Sequence, residues 1–147
     1  MERGISDKNI LERFSMEFCE VVERHCPYII VSGFVAIALG RSRSTEDIDM
    51  IVPKLTLPKF LELHEDLLKS GFSCIQSENV HEVYEYLLEK LSVRYTWKNR
   101  HLPEMEVKFA KDALDEHQLL TRQKLPRTGL DLWFSSIEVN IAFKEEY

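Results

Sequence analysis

The sequence predicts an α/β (α+β) fold in which short apolar strands are interspersed with amphipathic helices. Runs of β-branched and aromatic residues predict the strands, and apolar residues repeated at helical spacing predict the helices. Proline and glycine separate many of these runs. The chain has 147 residues, of which 44% are hydrophobic. This length and composition suffice for one buried core, so we expect a single domain over residues 1–147.

The first half of the chain predicts a helix, a strand, a second helix and a second strand. An amphipathic helix is expected near residues 7–25, and Pro27 ends it. Residues 28–31 form a short β-branched run, residues 34–40 are rich in Ala and Leu, and residues 47–52 alternate before becoming apolar. The positions that define the first helix are Ile10, Leu11, Phe14, Phe18, Val21 and Val22.

The second half continues the same alternation. Pro58 is expected to open a helix and Gly71 to end it, and a short strand follows at residues 72–76. The next helix is defined by Val80, Val83, Tyr84, Leu87, Leu88 and Leu91. Strands are expected at residues 93–97, 104–110 and 130–134, and a capped helix is expected to start within residues 135–144.

Composition excludes several classes of protein. The formal net charge of −6 disfavours a broad, nonspecific nucleic-acid surface, because such surfaces depend on cations that meet phosphates. The three cysteines form no Cys-x-x-Cys pair, which argues against a disulfide framework and against structural zinc. No apolar run is long enough to span a bilayer, and the first nine residues are too polar for a signal peptide. We therefore expect a cytoplasmic protein with no membrane partner.

The most informative motif combines a glycine turn with two aspartates. Ser32-Gly33 follows the first predicted strand, and Asp47 lies fourteen residues after Gly33. Glycine lets the backbone approach a phosphate, and the N-terminus of the following helix offers unpaired N–H groups to it. Asp47 and Asp49 point to the same side of a strand, since residues two apart share a face. A hard divalent cation such as Mg²⁺ would relieve the repulsion between these carboxylates.

A lone Asp-x-Asp is usually part of a solvated turn, but this one belongs to a longer pattern. This pattern resembles the nucleotidyltransferase superfamily typified by DNA polymerase beta. It consists of a hydrophobic residue, Ser-Gly, a helix, Arg-x-Thr-x-Asp-Ile-Asp and an apolar strand. The closest resemblance is to small prokaryotic members, including the minimal and the abortive-infection toxin types. The resemblance implies a nucleotidyltransferase fold, with a mixed central β-sheet flanked by α-helices. It also implies a nucleoside triphosphate substrate and two Mg²⁺ ions.

Individual positions follow from the resemblance. Asp47 and Asp49 match the two metal-binding, catalytic aspartates of the family, and Arg43 and Thr45 match the residues just before them. Ser32 stands where the family has the first glycine of its Gly-Gly or Gly-Ser pair, and Gly33 occupies the second position. These four residues, Ser32, Gly33, Arg43 and Thr45, are expected to bind the nucleotide.

The family also implies a third carboxylate on a later strand. Met105, Val107 and Phe109 alternate with charged residues, so one face of this predicted strand is free for chemistry. Glu106 is the best candidate for the third catalytic and metal-binding acid, although the family commonly has Asp there. Glu104 stays open as an alternative. The other interpretation of this run is a half-exposed strand with ordinary charges.

Near the end of the chain, Glu138, Ile141 and Lys144 resemble a late Ser-x-Glu-x-x-Ile-x-x-Lys turn of several nucleotidyltransferases. In those proteins the lysine can approach the nucleotide phosphates, so Lys144 is a candidate nucleotide-binding residue. The other interpretation is a solvated lysine on a terminal helix.

The predicted activity is metal-dependent transfer of a nucleoside monophosphate from a triphosphate to a hydroxyl, with release of pyrophosphate. The acceptor would be a protein, an RNA or a small molecule. One alternative is a catalytically inactive binding module that keeps the nucleotidyltransferase fold. Another is a component of a toxin–antitoxin pair, with a protein partner or a transfer RNA as its target.

Overall fold

The computed structural model describes residues 7–31 and 47–136. The helix predicted at residues 34–40 lies outside this part of the chain. Of the helix start predicted within residues 135–144, only Ser135 and Ser136 are among the described residues. Four α-helices and one seven-stranded mixed sheet occupy the described residues. The α/β (α+β) class is therefore confirmed.

The sheet combines parallel and antiparallel pairs. Its strands are β1 (Ile29–Val31), β2 (Asp47–Val52), β3 (Phe72–Cys74), β4 (Val93–Trp97), β5 (Glu104–Phe109), β6 (Gln123–Lys124) and β7 (Trp133–Phe134). They lie in the order β3-β4-β5-β2-β1-β7-β6. Two pairs are parallel, β2 with β5 and β1 with β7, and the other neighbours are antiparallel. The central strand β2 thus has an antiparallel neighbour on one side and a parallel neighbour on the other.

Helices cover both faces of the sheet. They are α1 (Asp7–Glu23), α2 (Leu57–Lys69), α3 (Val80–Leu88) and α4 (Ala113–Leu120). The apolar stripes of α1, α2 and α3 pack into the main core on one face. On the other face, Leu119 of α4 packs against Ile29 and Ile51. Among the described residues, the apolar core on this second face is smaller than the main core.

An aromatic cluster anchors α1 to the sheet. The Phe18 ring lies edge-on to Phe72, with 5.1 Å between the ring centroids, and it also contacts Tyr95. Phe14 packs against the same Phe72 and against Trp97. These residues come from the periodic apolar positions of α1 and from the inward face of β3 and β4, as the sequence pattern predicts.

Several elements differ in length from their predictions. The helix predicted to include Leu91 ends at Leu88, because the Leu91 N–H bonds back to the Tyr86 carbonyl and Lys90 adopts a left-handed conformation. The strand predicted at residues 130–134 contains only Trp133 and Phe134, although Leu130 and Leu132 are buried. The predicted α1 and β3 also extended two residues beyond their observed ends.

Helix α4 was not predicted at all. Its N-terminus is capped by Asp112, whose carboxylate accepts a 2.9 Å hydrogen bond from the Asp115 N–H.

None of the helices in residues 7–31 and 47–136 has the length and apolar character needed to cross a membrane.

Candidate functional site

The alternation of β2 separates its acidic side chains from the core. Ile48 and Met50 are 0% exposed and belong to the main core. Asp47 and Asp49 lie on the opposite face of the strand, where Asp47 is exposed and Asp49 is partly buried. The structure thus confirms the prediction that both aspartates point to the same side.

Strand β5 brings two further carboxylates to this face. In the parallel pairing of β2 with β5, Asp47 lies opposite Glu104 and Asp49 lies opposite Glu106. Residues opposite each other on neighbouring strands project to the same face of a sheet. Four carboxylates therefore form one acidic cluster, which consists of Asp47, Asp49, Glu104 and Glu106.

Burial and mutual repulsion affect the inner part of the acidic cluster. Burial raises the pKa of Asp49, and the neighbouring Glu106 raises it further. Lys108 acts in the opposite direction, as a nearby positive charge that lowers the Asp49 pKa. The anionic form of Asp49 is therefore less stable than that of a free carboxyl group, and Lys108 offsets part of this effect.

The outer part of the acidic cluster shows the same effect. The pKa of Glu104 is raised by burial first and by Asp47 second. Arg94 opposes the shift, with its Nε 3.5 Å from Glu104 Oε1. Arg94 itself is about half exposed, so this ion pair is well solvated.

Two residues outside the predicted site contact the acidic cluster. Ser92 Oγ donates a 2.9 Å hydrogen bond to Glu106 Oε2, and Arg94 pairs with Glu104. Neither residue belongs to a motif, and only the pairing of β4 with β5 brings Arg94 opposite Glu106. Lys108 could be found from the sequence, because it lies two residues after Glu106 and therefore on the same face of the strand.

The acidic cluster lies at the end of the sheet where residues 32–46 join the described chain. Val31, the last residue before this gap, pairs with Asp49, and Asp47 is the first residue after it. The predicted nucleotide-binding residues Ser32, Gly33, Arg43 and Thr45 lie within the gap, outside the described residues. Lys144 also lies outside them.

The donor chemistry of the acidic cluster suits a hard divalent cation, since carboxylate oxygens are the ligands that Mg²⁺ prefers. In residues 7–31 and 47–136, however, no three His, Cys, Asp or Glu side chains are arranged so that they could hold one metal ion. The acids instead face each other in two pairs, Asp47 with Glu104 and Asp49 with Glu106. Mg²⁺ commonly uses only one or two carboxylates, and substrate phosphates and water complete its shell.

Compared with known proteins, the chain matches no family model and no curated sequence. The relationship to nucleotidyltransferases therefore stays a prediction that depends on the sequence motif.

Proposed function

We propose that this chain is a metal-dependent nucleotidyltransferase. It would transfer a nucleoside monophosphate from a nucleoside triphosphate to a hydroxyl of a protein, RNA or small-molecule acceptor, and release pyrophosphate. The observation that supports this function best is the pairing of Asp47 and Asp49 with two glutamates on the neighbouring parallel strand. The glycine turn and the Arg-x-Thr-x-Asp-Ile-Asp pattern supply the link to nucleotides.

The electrostatics of the acidic cluster support a role in binding a cation. The raised pKa values of Asp49 and Glu104 mean that these two carboxylates are destabilised as anions, and a divalent cation beside them would favour their charged form. In this proposal Asp47, Asp49 and Glu106 would each contribute carboxylate oxygens to Mg²⁺, with substrate phosphates and water as the other ligands. The chemistry that bound Mg²⁺ would supply is activation of the acceptor hydroxyl and neutralisation of the pyrophosphate charge.

The neighbours of Glu106 make it a better candidate than Glu104 for the third metal-binding carboxylate. Glu106 lies directly opposite Asp49, and the Ser92 hydroxyl donates a hydrogen bond to its Oε2. Glu104 is opposite the more exposed Asp47 and already pairs with the Arg94 guanidinium. We assign Glu106 the catalytic role and Glu104 the role of adjusting the local charge.

The remaining roles in this proposal follow the sequence motif. Ser32, the Gly33 backbone, Arg43 and Thr45 would bind the triphosphate, with Lys144 as a further phosphate ligand. Positioning and charge neutralisation are most of what phosphoryl transfer requires of a protein. Val31 pairs with Asp49, so the segment that carries Ser32, Gly33, Arg43 and Thr45 begins beside the acidic cluster. This position supports the proposal.

A second candidate function is an inactive binding module. The contacts of Ser92 with Glu106 and of Arg94 with Glu104 favour it, because they give both glutamates partners within the protein. In that case the acidic cluster would keep its protein partners and would need no metal.

Calorimetric titration with each nucleoside triphosphate distinguishes the two functions. We expect Mg²⁺-dependent binding to the wild type and at least a tenfold loss in Asp49→Asn. Glu85→Gln is the matched control, because it removes one negative charge from an exposed position on α3. Wild-type affinity is expected for this control. If no triphosphate binds with Mg²⁺, or if Asp49→Asn binds normally, the nucleotidyltransferase proposal is wrong.

A further inference from the structure

A second concave surface lies at the other end of the sheet. Strands β2 and β5 run in parallel from the acidic cluster to this end, where Pro53, Ala110 and Lys111 line a cavity of about 710 Å³. The end of α3 and the second half of α4 form its walls. This volume is within the range of small-molecule sites in proteins.

Part of the cavity lining is apolar. Leu87 of α3, Phe109 of β5 and Leu119 of α4 line it, and all three are buried parts of the protein's packing. At its rim, Leu88 is 41% exposed and Leu120 is 85% exposed. Large apolar side chains concentrated at the rim of a cavity indicate a surface that gains free energy when it is covered.

Positive charge surrounds this apolar surface. Among the described residues, the lining contains one carboxylate, Glu116, and four cations: Lys54, Lys90, Lys111 and Arg122. This is a local excess of cations in a chain whose formal net charge is −6. Such a concentration creates a positive potential in the cleft and attracts anions.

The cations differ in how they are held. Arg122 is fixed, since its guanidinium lies 4.3 Å from the Trp133 ring centroid and donates to the Tyr28 carbonyl. Within the described part of the chain, the ammonium groups of Lys54, Lys90 and Lys111 form no ion pair with a carboxylate. Three ammonium groups are thus available to an anionic ligand.

Lys90 has an unfavourable backbone conformation. Its φ of +65° is in the left-handed region, where it ends α3 through the hydrogen bond from its N–H to the Leu87 carbonyl. Glycine is the usual residue at this position of a helix end, because a side chain is strained there. Lys90 therefore places an ammonium group beside the cavity from a position where glycine would be less strained.

We propose that this cavity binds an amphiphilic organic anion, which consists of an apolar chain or ring and a carboxylate or phosphate group. The apolar part would lie on Leu88, Leu119 and Leu120. The anionic group would be bound by Lys54, Lys90 and Lys111. A symmetric contact with a second copy of the chain is disfavoured, because it would bring two sets of these cations together. The site is separate from the acidic cluster and does not depend on the proposed enzymatic function.

Calorimetric titration with four probes tests this site. Decanoate and decyl phosphate carry both parts of the ligand, decanol carries only the apolar part, and inorganic phosphate carries only the charge. We expect both amphiphilic anions to bind at submillimolar concentration, at least tenfold more tightly than decanol or inorganic phosphate. Preference for one anion would identify the carboxylate or the phosphate as the natural head group. Failure of both to bind, or equal affinity for decanol, would overturn the proposal.

The variant Lys90→Gly should change ligand affinity and thermal stability in opposite directions, so it distinguishes the two effects. The substitution removes the strain, so we expect the Tm to rise by roughly 2–4 °C. It also removes one ammonium group, so the affinity for decyl phosphate should fall about threefold. Asn99→Gly is the matched control, because Asn99 also has a positive φ of +62° but does not line the cavity. This control should leave the affinity unchanged. Unaltered binding by Lys90→Gly would overturn the proposed role of Lys90.

Removal of two cations gives a larger effect. The double variant Lys90→Gly/Lys111→Gln should bind decyl phosphate about tenfold more weakly, whereas Lys98→Gln outside the cavity should bind normally. Asp49→Asn should also bind decyl phosphate normally, which makes the result independent of the proposed nucleotide site. Sedimentation of the ligand-free chain tests another occupant. A dimer that Leu120→Glu dissociates would assign the cavity to a second copy and overturn the proposal.

Discussion

Asp49 on β2 lies directly opposite Glu106 on β5, and Glu106 raises the pKa of Asp49 beyond the effect of burial. The two residues are more than fifty positions apart in the sequence, and the parallel pairing of their strands brings them together. Their proximity disfavours two negative charges in the metal-free protein.

Asp49→Asn should stabilise the metal-free protein, and the gain should depend on pH. The Asp49 pKa is raised above its ordinary value of 3.8, so the folded state binds the proton more tightly than the unfolded state. The wild type therefore loses stability as the pH rises from 3.8 through the raised pKa, and Asp49→Asn avoids this loss. We expect the Tm difference to be small at low pH and to reach about 1–3 °C at pH 7.

Thermal unfolding between pH 4 and pH 8 with a metal chelator measures this difference. Glu85→Gln controls for the change in net charge. A Tm difference that is independent of pH, or a less stable Asp49→Asn variant at pH 7, would contradict the prediction.

Glu106→Gln and Glu104→Gln should differ in their effect on nucleotide binding. Glu106→Gln should weaken Mg²⁺-dependent binding of a triphosphate at least tenfold, because it removes a proposed metal ligand opposite Asp49. Glu104→Gln should change the affinity less than threefold, since Glu104 pairs with Arg94 and lies opposite the exposed Asp47. Calorimetric titration of both variants at one Mg²⁺ concentration measures the two effects. The opposite order would assign the third carboxylate to Glu104.

Much of the strand pattern could be predicted from the sequence, because alternation is a local property. The observed bounds of β2, Asp47–Val52, agree with the alternating run, and Ile48 and Met50 are buried as expected. Alternation also indicated that Glu104 and Glu106 share one face. It contains no information on which strands are neighbours, so the register that places Glu106 opposite Asp49 could not be predicted. The contacts of Ser92 and Arg94 depend on the same long-range pairing.

Failures at helix ends have local physical causes. Lys90 in a left-handed conformation ends α3 early, and a lysine gives no sequence signal for such an end. Helix α4 has a weak apolar pattern, since Leu114 and Leu120 are exposed and Leu119 is buried. Asp112, which caps this helix, is the sequence feature that indicates where the helix begins, because Asp is favoured just before the first helical turn.

Asp112→Ala should destabilise the protein by about 1 kcal/mol, because the Asp115 N–H loses the capping carboxylate. Helix α4 holds Leu119 against Ile29 and Ile51, so fraying from its start would weaken this small second core. Urea unfolding measures the free energy of unfolding. Asp112→Asn is the matched control, since Asn caps helices as well as Asp does and should preserve the stability. Equal losses in the Ala and Asn variants would show that the cap does not stabilise α4.

Tyr95→Phe should destabilise the protein by about 1–2 kcal/mol through a buried hydrogen bond. Tyr95 is 1% exposed and His64 is 4% exposed, and the Tyr95 hydroxyl lies 2.7 Å from His64 Nδ1. Burial lowers the pKa of His64, so the ring is neutral at pH 7 and depends on this hydroxyl for a partner. Urea unfolding at pH 7 should show the loss. Tyr86→Phe is the control, because it removes the same hydroxyl from a residue that is 37% exposed. If Tyr95→Phe is as stable as the wild type, the His64–Tyr95 hydrogen bond does not contribute to stability.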